Sequence, residues 1–202
     1  AILLNCDTLE YKYLPLELQD YTLAIVNTNK QRTLADSKYN ERFNECRIAL
    51  KALQKELPVQ YLCDIDFHGF ESHRHLINDP VIEKRALHVI SENFRVNEAA
   101  DALKTGELFT FGKLMYASHQ SLKELYEVSG VELDTIVEFC KTFDGVIGAR
   151  MTGAGFGGCA IALVRKNKFE DFTKQLVSFY EKKIGYKPGV FESEAGDGVR
   201  EI

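Results

Sequence analysis

The sequence lacks a long apolar run. No hydrophobic stretch approaches the roughly 18 residues that span a bilayer, and the first residues have neither the basic segment nor the apolar stretch of a signal peptide. An excess of positive charge is also missing, since 30 acidic residues outnumber 25 basic ones and the net charge is −5 at pH 7. We therefore expect a cytoplasmic protein that binds neither membranes nor nucleic acid, because a polyanion requires a basic surface.

Cysteine is too sparse and too scattered for a disulfide framework or a zinc site. The five cysteines are odd in number and mostly stand in apolar patterns, which is typical of reduced thiols packed in a core. They are Cys6, Cys46, Cys63, Cys140 and Cys159.

Residues 64–75 contain three histidines and several carboxylates, a composition that metal sites share. No two of these histidines are four residues apart, as ligands on one helix face would be. We interpret the segment as a polar loop before Pro80, and no metal ligand is predicted.

Patterns along the chain predict a mixed α+β fold. Three segments rich in strand formers come first, at residues 1–5, 9–14 and 21–27. Apolar residues at helical spacing dominate the next part of the chain. The predicted helices cover residues 36–57, 81–103, 108–126, 133–141 and 169–184, and the later strands cover residues 145–150, 159–164 and 189–192. No repeat or flexible linker divides the chain, so we treat residues 1–202 as one domain.

Residues 148–158 hold a cluster of glycines between two apolar segments. Glycine lets the main chain adopt positive φ angles and approach another backbone or a ligand closely. Gly153, Gly155 and Gly158 match the spacing G-x-G-x-x-G, but the dinucleotide-binding motif opens a helix and here a strand is predicted next. The Gly-Lys-Ser/Thr of a phosphate loop is absent as well. A tight connection between two strands is the purely structural alternative.

The complete sequence of this segment carries a resemblance to a known family. Residues 148–159, Gly-Ala-Arg-Met-Thr-Gly-Ala-Gly-Phe-Gly-Gly-Cys, resemble the third signature motif of the GHMP kinases in the form found in galactokinases. Residues 26–42 and 85–95 are similar to galactokinase C-terminal halves, so the resemblance covers essentially the whole chain. It implies a ferredoxin-like antiparallel sheet backed by helices. The implied activity is transfer of the ATP γ-phosphoryl group to the anomeric hydroxyl of galactose, giving galactose 1-phosphate.

The resemblance also implies site residues. In the family, the tyrosine of the segment Ser-Lys-Tyr-Asn-Glu-Arg contacts galactose, which corresponds to Tyr39, and a phenol can both pack on a sugar and hydrogen-bond it. Without the resemblance, Tyr39 is an ordinary half-buried tyrosine near a helix start. The glycine-rich loop borders the family's cleft, which indicates Gly153, Gly155, Gly157 and Gly158. In the complete enzyme, we expect Gly155→Val to reduce activity more than stability.

The family's remaining chemistry lies outside this sequence. No catalytic residue can be assigned here, and ATP and Mg²⁺ are expected to bind mainly to a missing N-terminal half. We expect the chain to be cut from a longer protein, with residues 1–14 forming strands that belong with that half. Exposed strand edges would then favour self-association, and the isolated chain is expected to be inactive.

Three alternatives stay open from the sequence. A non-catalytic galactose sensor could use the same fold, and a related sugar kinase could act on N-acetylgalactosamine. Both depend on the missing N-terminal half. A free-standing interaction module is the third, since ferredoxin-like folds serve many functions.

Overall fold

The computed structural model describes residues 1–31, 35–194 and 196, including all of their side chains except those of residues 35–37. The strands are β1 (Ile2–Leu4), β2 (Tyr11–Tyr13), β3 (Tyr21–Asn27), β4 (Val146–Thr152), β5 (Cys159–Arg165) and β6 (Gly189–Ser193). The helices are α1 (Ala35–Leu53), α2 (Phe67–His73), α3 (Pro80–Lys104), α4 (Leu108–Ser121), α5 (Val131–Thr142) and α6 (Phe169–Ile184).

Four strands form one antiparallel sheet in the order β4-β5-β3-β6. Along the chain, the elements run from β3 through helices to β4 and β5, and then through α6 to β6. This is the βαββαβ order of a ferredoxin-like fold, with five helices in place of the first one. The predicted α+β class, an antiparallel sheet backed by helices, is confirmed.

Alternate residues of the central strand β3 face two different layers. Ala24 and Val26 are fully buried on the face that packs against α5 and α6, where Ile136 and Phe172 complete the core. Tyr21 belongs to a separate cluster with residues of α4 and β5. The sheet is therefore covered on both faces, which explains why β3 reads as a nearly continuous apolar run.

The helix α4 approaches β4 at two glycines. A Cβ atom added to Gly112 would lie 2.3 Å from the carbonyl oxygen of Ile147, and one added to Gly148 would lie 2.5 Å from the Cα of Gly112. The first glycine of the glycine-rich segment thus has a packing role, because any larger residue would force α4 away from the sheet.

The first three helices build a second core, in which Leu53, Phe70 and Ile90 are buried. Its helix α2 corrects the sequence-based interpretation of residues 64–75 as a polar loop. The Asp66 carboxylate accepts a hydrogen bond of 2.6 Å from the Gly69 amide and caps the helix. Phe70 is fully buried and packs the helix into the second core.

The thiols also depart from expectation. Cys140 is fully buried and Cys46 and Cys159 are partly buried, but Cys6 and Cys63 are exposed, contrary to the expectation of a buried set. Cys6 follows β1, which pairs with β2 in a small hairpin separate from the main sheet. Side chains of the hairpin, such as Ile2 and Tyr13, are largely exposed, and its membership of another domain stays a prediction. In the described part of the chain, no helix combines the length and apolar character needed to cross a membrane.

Candidate functional site

The glycine-rich loop connects β4 to β5. Its backbone turns through a run of positive φ angles at Gly153 (83°), Gly155 (85°), Phe156 (57°), Gly157 (128°) and Gly158 (82°). A purely local turn does not explain this geometry, since the loop is fastened to segments distant in sequence on two sides.

On one side, the loop lies against the main chain of Val128. The amide of Phe156 donates a 2.8 Å hydrogen bond to the Val128 carbonyl oxygen. A Cβ added to Gly155 would lie 2.1 Å from the same oxygen, so only glycine permits the contact. This changes the expectation for Gly155→Val, because the geometry predicts a loss of stability as well as of activity. The space around Gly153 is different, since an added Cβ there meets no atom within 4 Å.

On the other side, the loop lies against the segment that follows β3. The hydroxyl and the amide of Thr28 both donate to the Gly158 carbonyl oxygen at 2.8 Å. The aliphatic part of Lys30 lies beside Gly157, where an added Cβ would be 3.2 Å from it. The Lys30 ammonium is held by the Glu132 carboxylate at 2.9 Å.

Tyr39 lies on α1 with 58% of its surface exposed, so its phenol is available to a ligand. Burial and the neighbouring Cys46 raise the pKa of Tyr126, and the Tyr39 phenol contributes to the same shift. The predicted helix start at residues 36–37 involves side chains outside the described residues, and the backbone is helical from Ala35.

The helix predicted over residues 108–126 is not one regular helix. The helix α4 ends at Ser121, a π-helical turn covers Leu122–Tyr126, and Glu127 adopts a left-handed conformation with φ of 56°. Val128 follows directly and receives the glycine loop. Wide turns of this kind often occur near functional sites.

Sequence reasoning missed an ionic cluster at the end of this π-helical turn. The Glu45 carboxylate accepts hydrogen bonds from Arg42 at 2.9 Å and from Arg85 at 2.8 Å, and Glu127 accepts another from Arg85 at 2.8 Å. Arg85 is 1% exposed and Arg42 is 6% exposed. Arginines are almost never buried unless they are paired, so the burial of Arg42 and Arg85 depends on these carboxylates. The sequence signal was weak, because each arginine sits among other charged residues on its helix.

A second missed residue is His119, buried on α4 at 2% exposure. The Met151 amide of β4 donates to His119 Nδ1 at 3.2 Å, which leaves the proton on Nε2 to face Asp134 Oδ1 at 3.2 Å. Burial raises the pKa of Asp134, but hydrogen bonds from His119, Ser129 and Lys123 outweigh it and lower the pKa below its usual value. The pair of His119 and Asp134 therefore contacts β4 at Met151, shortly before the glycine loop.

A metal ligand set does not emerge from the described residues, where no three His, Cys, Asp or Glu side chains are grouped to hold an ion. A pocket of about 230 Å³ is formed by Pro15, Glu17, Leu108 and the 102–106 segment, and it includes none of the residues discussed above.

Comparison with known proteins places these features in a family context. The family model described as GHMP kinases C terminal matches residues 99–182. The chain is 52% identical to the galactokinase of Staphylococcus carnosus and 54% identical to that of Clostridium tetani, in each case over all 202 of its residues. It covers 52% of each of these relatives, so it spans about half the length of the proteins it matches.

Solved structures agree with the sequence relatives. The crystal structure of Lactococcus lactis galactokinase complexed with galactose matches with a TM-score of 0.94 and 48% identity, covering 98% of this chain and 51% of that one. The crystal structure of L. major mevalonate kinase in complex with R-mevalonate matches with a TM-score of 0.52 and 23% identity, covering 91% of this chain and 44% of that one. The second likeness concerns the fold alone.

Proposed function

Because this chain belongs to the GHMP kinase family, we propose that it works as the C-terminal half of an ATP-dependent galactokinase. The reaction would move the γ-phosphoryl group of ATP to the anomeric hydroxyl of galactose. The observation that carries the proposal is the match of the entire chain to galactokinases. The glycine loop, fastened on both sides and open at Gly153, supports it as a surface that a substrate can approach.

The contribution of this half would be positioning. Phosphoryl transfer depends mainly on alignment of the two substrates and on neutralisation of charge. We propose that the exposed phenol of Tyr39 contacts galactose, and that Gly153, Gly155, Gly157 and Gly158 let the loop border the cleft. An aromatic ring suits a sugar face, while its hydroxyl can hydrogen-bond a sugar oxygen.

Charge neutralisation would come mainly from the other half. Mg²⁺, when bound, would offset the negative charge of the ATP phosphates. As the resemblance to galactokinases implies, we assign Mg²⁺ and most ATP contacts to the N-terminal half. We also propose a cytoplasmic location, where ATP is available to the enzyme.

Self-association is proposed for the isolated chain. Several large hydrophobic side chains of the hairpin are exposed, including Ile2 at 62% and Tyr13 at 76%. Burial of such surface is favourable, and a second copy could provide it when the other half is absent. Sedimentation velocity on the isolated chain would show dimers or larger species, whereas the full-length protein would not need this contact.

The decisive experiment is coupled ADP release with galactose and ATP-Mg²⁺, performed on the 202-residue chain and on the full-length protein. Activity in the full-length protein alone supports the proposal. Activity in the short chain alone contradicts the division of the site. Activity in neither, with retained galactose binding, indicates a sensor. A preference for N-acetylgalactosamine in the same assay indicates the related kinase.

A further inference from the structure

We propose that Arg42 and Arg85 are positioning residues that hold the glycine loop in a fixed relation to Tyr39. The role in galactose phosphorylation rests on the proposed function, whereas the mechanical coupling rests on the geometry alone.

The two arginines cap the carbonyl groups at the end of the π-helical turn. Arg85 Nη1 donates to the Leu125 carbonyl oxygen at 2.5 Å, and Arg42 Nε donates to that of Tyr126 at 2.6 Å. Arg42 Nη2 also reaches the Glu127 carbonyl oxygen at 3.5 Å. The last carbonyls of a helix have no partner within it, so these guanidinium groups complete the hydrogen bonding there.

Both guanidinium groups of the cluster are paired with carboxylates. Glu45 lies between Arg42 and Arg85, and Glu127 pairs with Arg85 at 2.8 Å and lies 4.0 Å from Arg42. Glu41 adds an exposed partner for Arg42 at 2.9 Å. An ion buried without its partner is strongly unfavourable, so each member restricts the others to one arrangement. The cluster therefore joins α1, α3 and the π-helical turn as one unit.

The glycine loop is attached one residue beyond this unit. Val128 follows Glu127, its amide donates to the Leu122 carbonyl oxygen at 3.1 Å, and its own carbonyl receives the Phe156 amide at 2.8 Å. Because Gly155 has no side chain, the main chain of the loop can lie directly against the main chain of Val128. A shift of the π-helical turn would consequently be passed to the loop without a flexible side chain between them.

The other end of the unit is attached to Tyr39. Arg42 lies three residues after Tyr39 on α1, and residues at this spacing share a helix face. The relation between the Tyr39 phenol and the glycine loop thus depends on how α1 sits against the π-helical turn. Misplacement by about 1 Å of groups that position a substrate can lower a rate about a hundredfold.

The contacts require a guanidinium rather than any cation. Arg42 uses Nε for one carbonyl, Nη2 for another and Nη1 for carboxylates, in directions fixed by its plane. A lysine ammonium is a single point charge and cannot serve these partners together. Arg42→Lys should therefore keep the charge and lose the coupling.

The test uses the full-length protein with Arg42→Lys, and with Arg47→Lys as the matched control, because Arg47 is exposed on the same helix. Hydrogen exchange of the Phe156 amide is followed by NMR or by peptides spanning residues 153–158. We expect its exchange to rise by about tenfold or more in Arg42→Lys, since the loss of a charged hydrogen bond is enough for that factor. Arg47→Lys should match the parent protein. If Arg42→Lys does not fold, Glu127→Gln, which changes a half-exposed side chain, should give a smaller rise in the same direction.

Kinetics supply the second readout. We expect kcat/KM for galactose to fall by about ten- to a hundredfold in Arg42→Lys, with KM for ATP nearly unchanged, because alignment of the sugar is disturbed. Unchanged Phe156 exchange in a folded Arg42→Lys protein, or in Glu127→Gln when the former fails to fold, would overturn the coupling. A parent protein without galactose kinase activity would instead refute the proposed function, and the exchange data would still decide the coupling.

Discussion

Acidification should destabilise this protein through one buried histidine. His88 on α3 is 6% exposed, its Nδ1 lies 2.8 Å from the Ser121 hydroxyl, and its ring stacks on Tyr126 at a centroid distance of 4.3 Å. Burial lowers the pKa of His88 from 6.5 to about 4, and the positive charges of Arg95, Arg150 and Arg85 contribute, against an opposing effect of Glu92. The folded protein therefore keeps this imidazole neutral at pH values where the unfolded chain protonates it.

The sign and size of the effect follow from proton linkage. Between the two pKa values, the unfolded state binds more protons, so the free energy of unfolding falls as the pH falls. The contribution of His88 is complete above pH 6.5 and is lost progressively as the pH approaches 4. From about pH 7.5 to about pH 5, the His88 contribution falls by about 2 kcal/mol, and the full span of the shift corresponds to about 3 kcal/mol.

The assay is urea unfolding followed by circular dichroism, because the sequence contains no tryptophan to report by fluorescence. Carboxylates also titrate toward pH 5, so the His88 contribution is taken as the difference between the parent chain and His88→Asn. The variant should be less stable at neutral pH but lose about 2 kcal/mol less on acidification. His68→Asn is the matched control, since His68 is exposed. Parallel pH profiles for the parent and His88→Asn would refute the reasoning.

Three further predictions concern the loop, the sugar contact and the thiols. In urea unfolding, Gly155→Ala should lower the free energy of unfolding by about 3 kcal/mol and Gly153→Ala by only about 1 kcal/mol. Both positions have positive φ, but only an alanine at position 155 would collide with a main-chain oxygen. Equal losses would contradict this reasoning. Tyr39→Ala in the full-length protein should raise KM for galactose by about tenfold or more while leaving KM for ATP nearly unchanged in steady-state kinetics, and an unchanged galactose KM would remove the assignment. Cys63 should react with Ellman's reagent in the native chain whereas Cys140, whose thiol pKa is raised by burial, should react only after unfolding, as mass spectrometry of the labelled peptides can check.

Local signals predicted much of the fold because they coincide with tertiary needs. The predicted range of α6 agrees with the structure at both ends, where apolar residues face the core and Gly185 closes the helix in a left-handed conformation. The strand β3 was predicted with its observed bounds, because burial on both faces leaves a distinctive apolar run. The short helix α2 was missed, since about two turns capped by Asp66 have too few apolar residues to show a period.

The end of α4 shows why other features of the fold could not be predicted from the sequence. Apolar spacing continues through Tyr126, so the sequence predicts one helix, yet the last turn widens into a π-helical form. Its carbonyls are capped by Arg85 and Arg42, which lie 40 and 84 residues away from their partners. No local pattern can report such a pairing, because it exists only after three helices have packed.

The glycine loop has the same dependence on distant segments. Its glycines were conspicuous in the sequence, but the surfaces that require them are the carbonyl of Val128 on one side and the Thr28 to Lys30 segment on the other. Neither surface has a glycine signature of its own. The loop's shape is therefore set by two distant parts of the chain, and the proposed coupling adds a dependence on α1. Sequence alone therefore identifies which backbone is unusual, while the structure identifies which residues keep it in place.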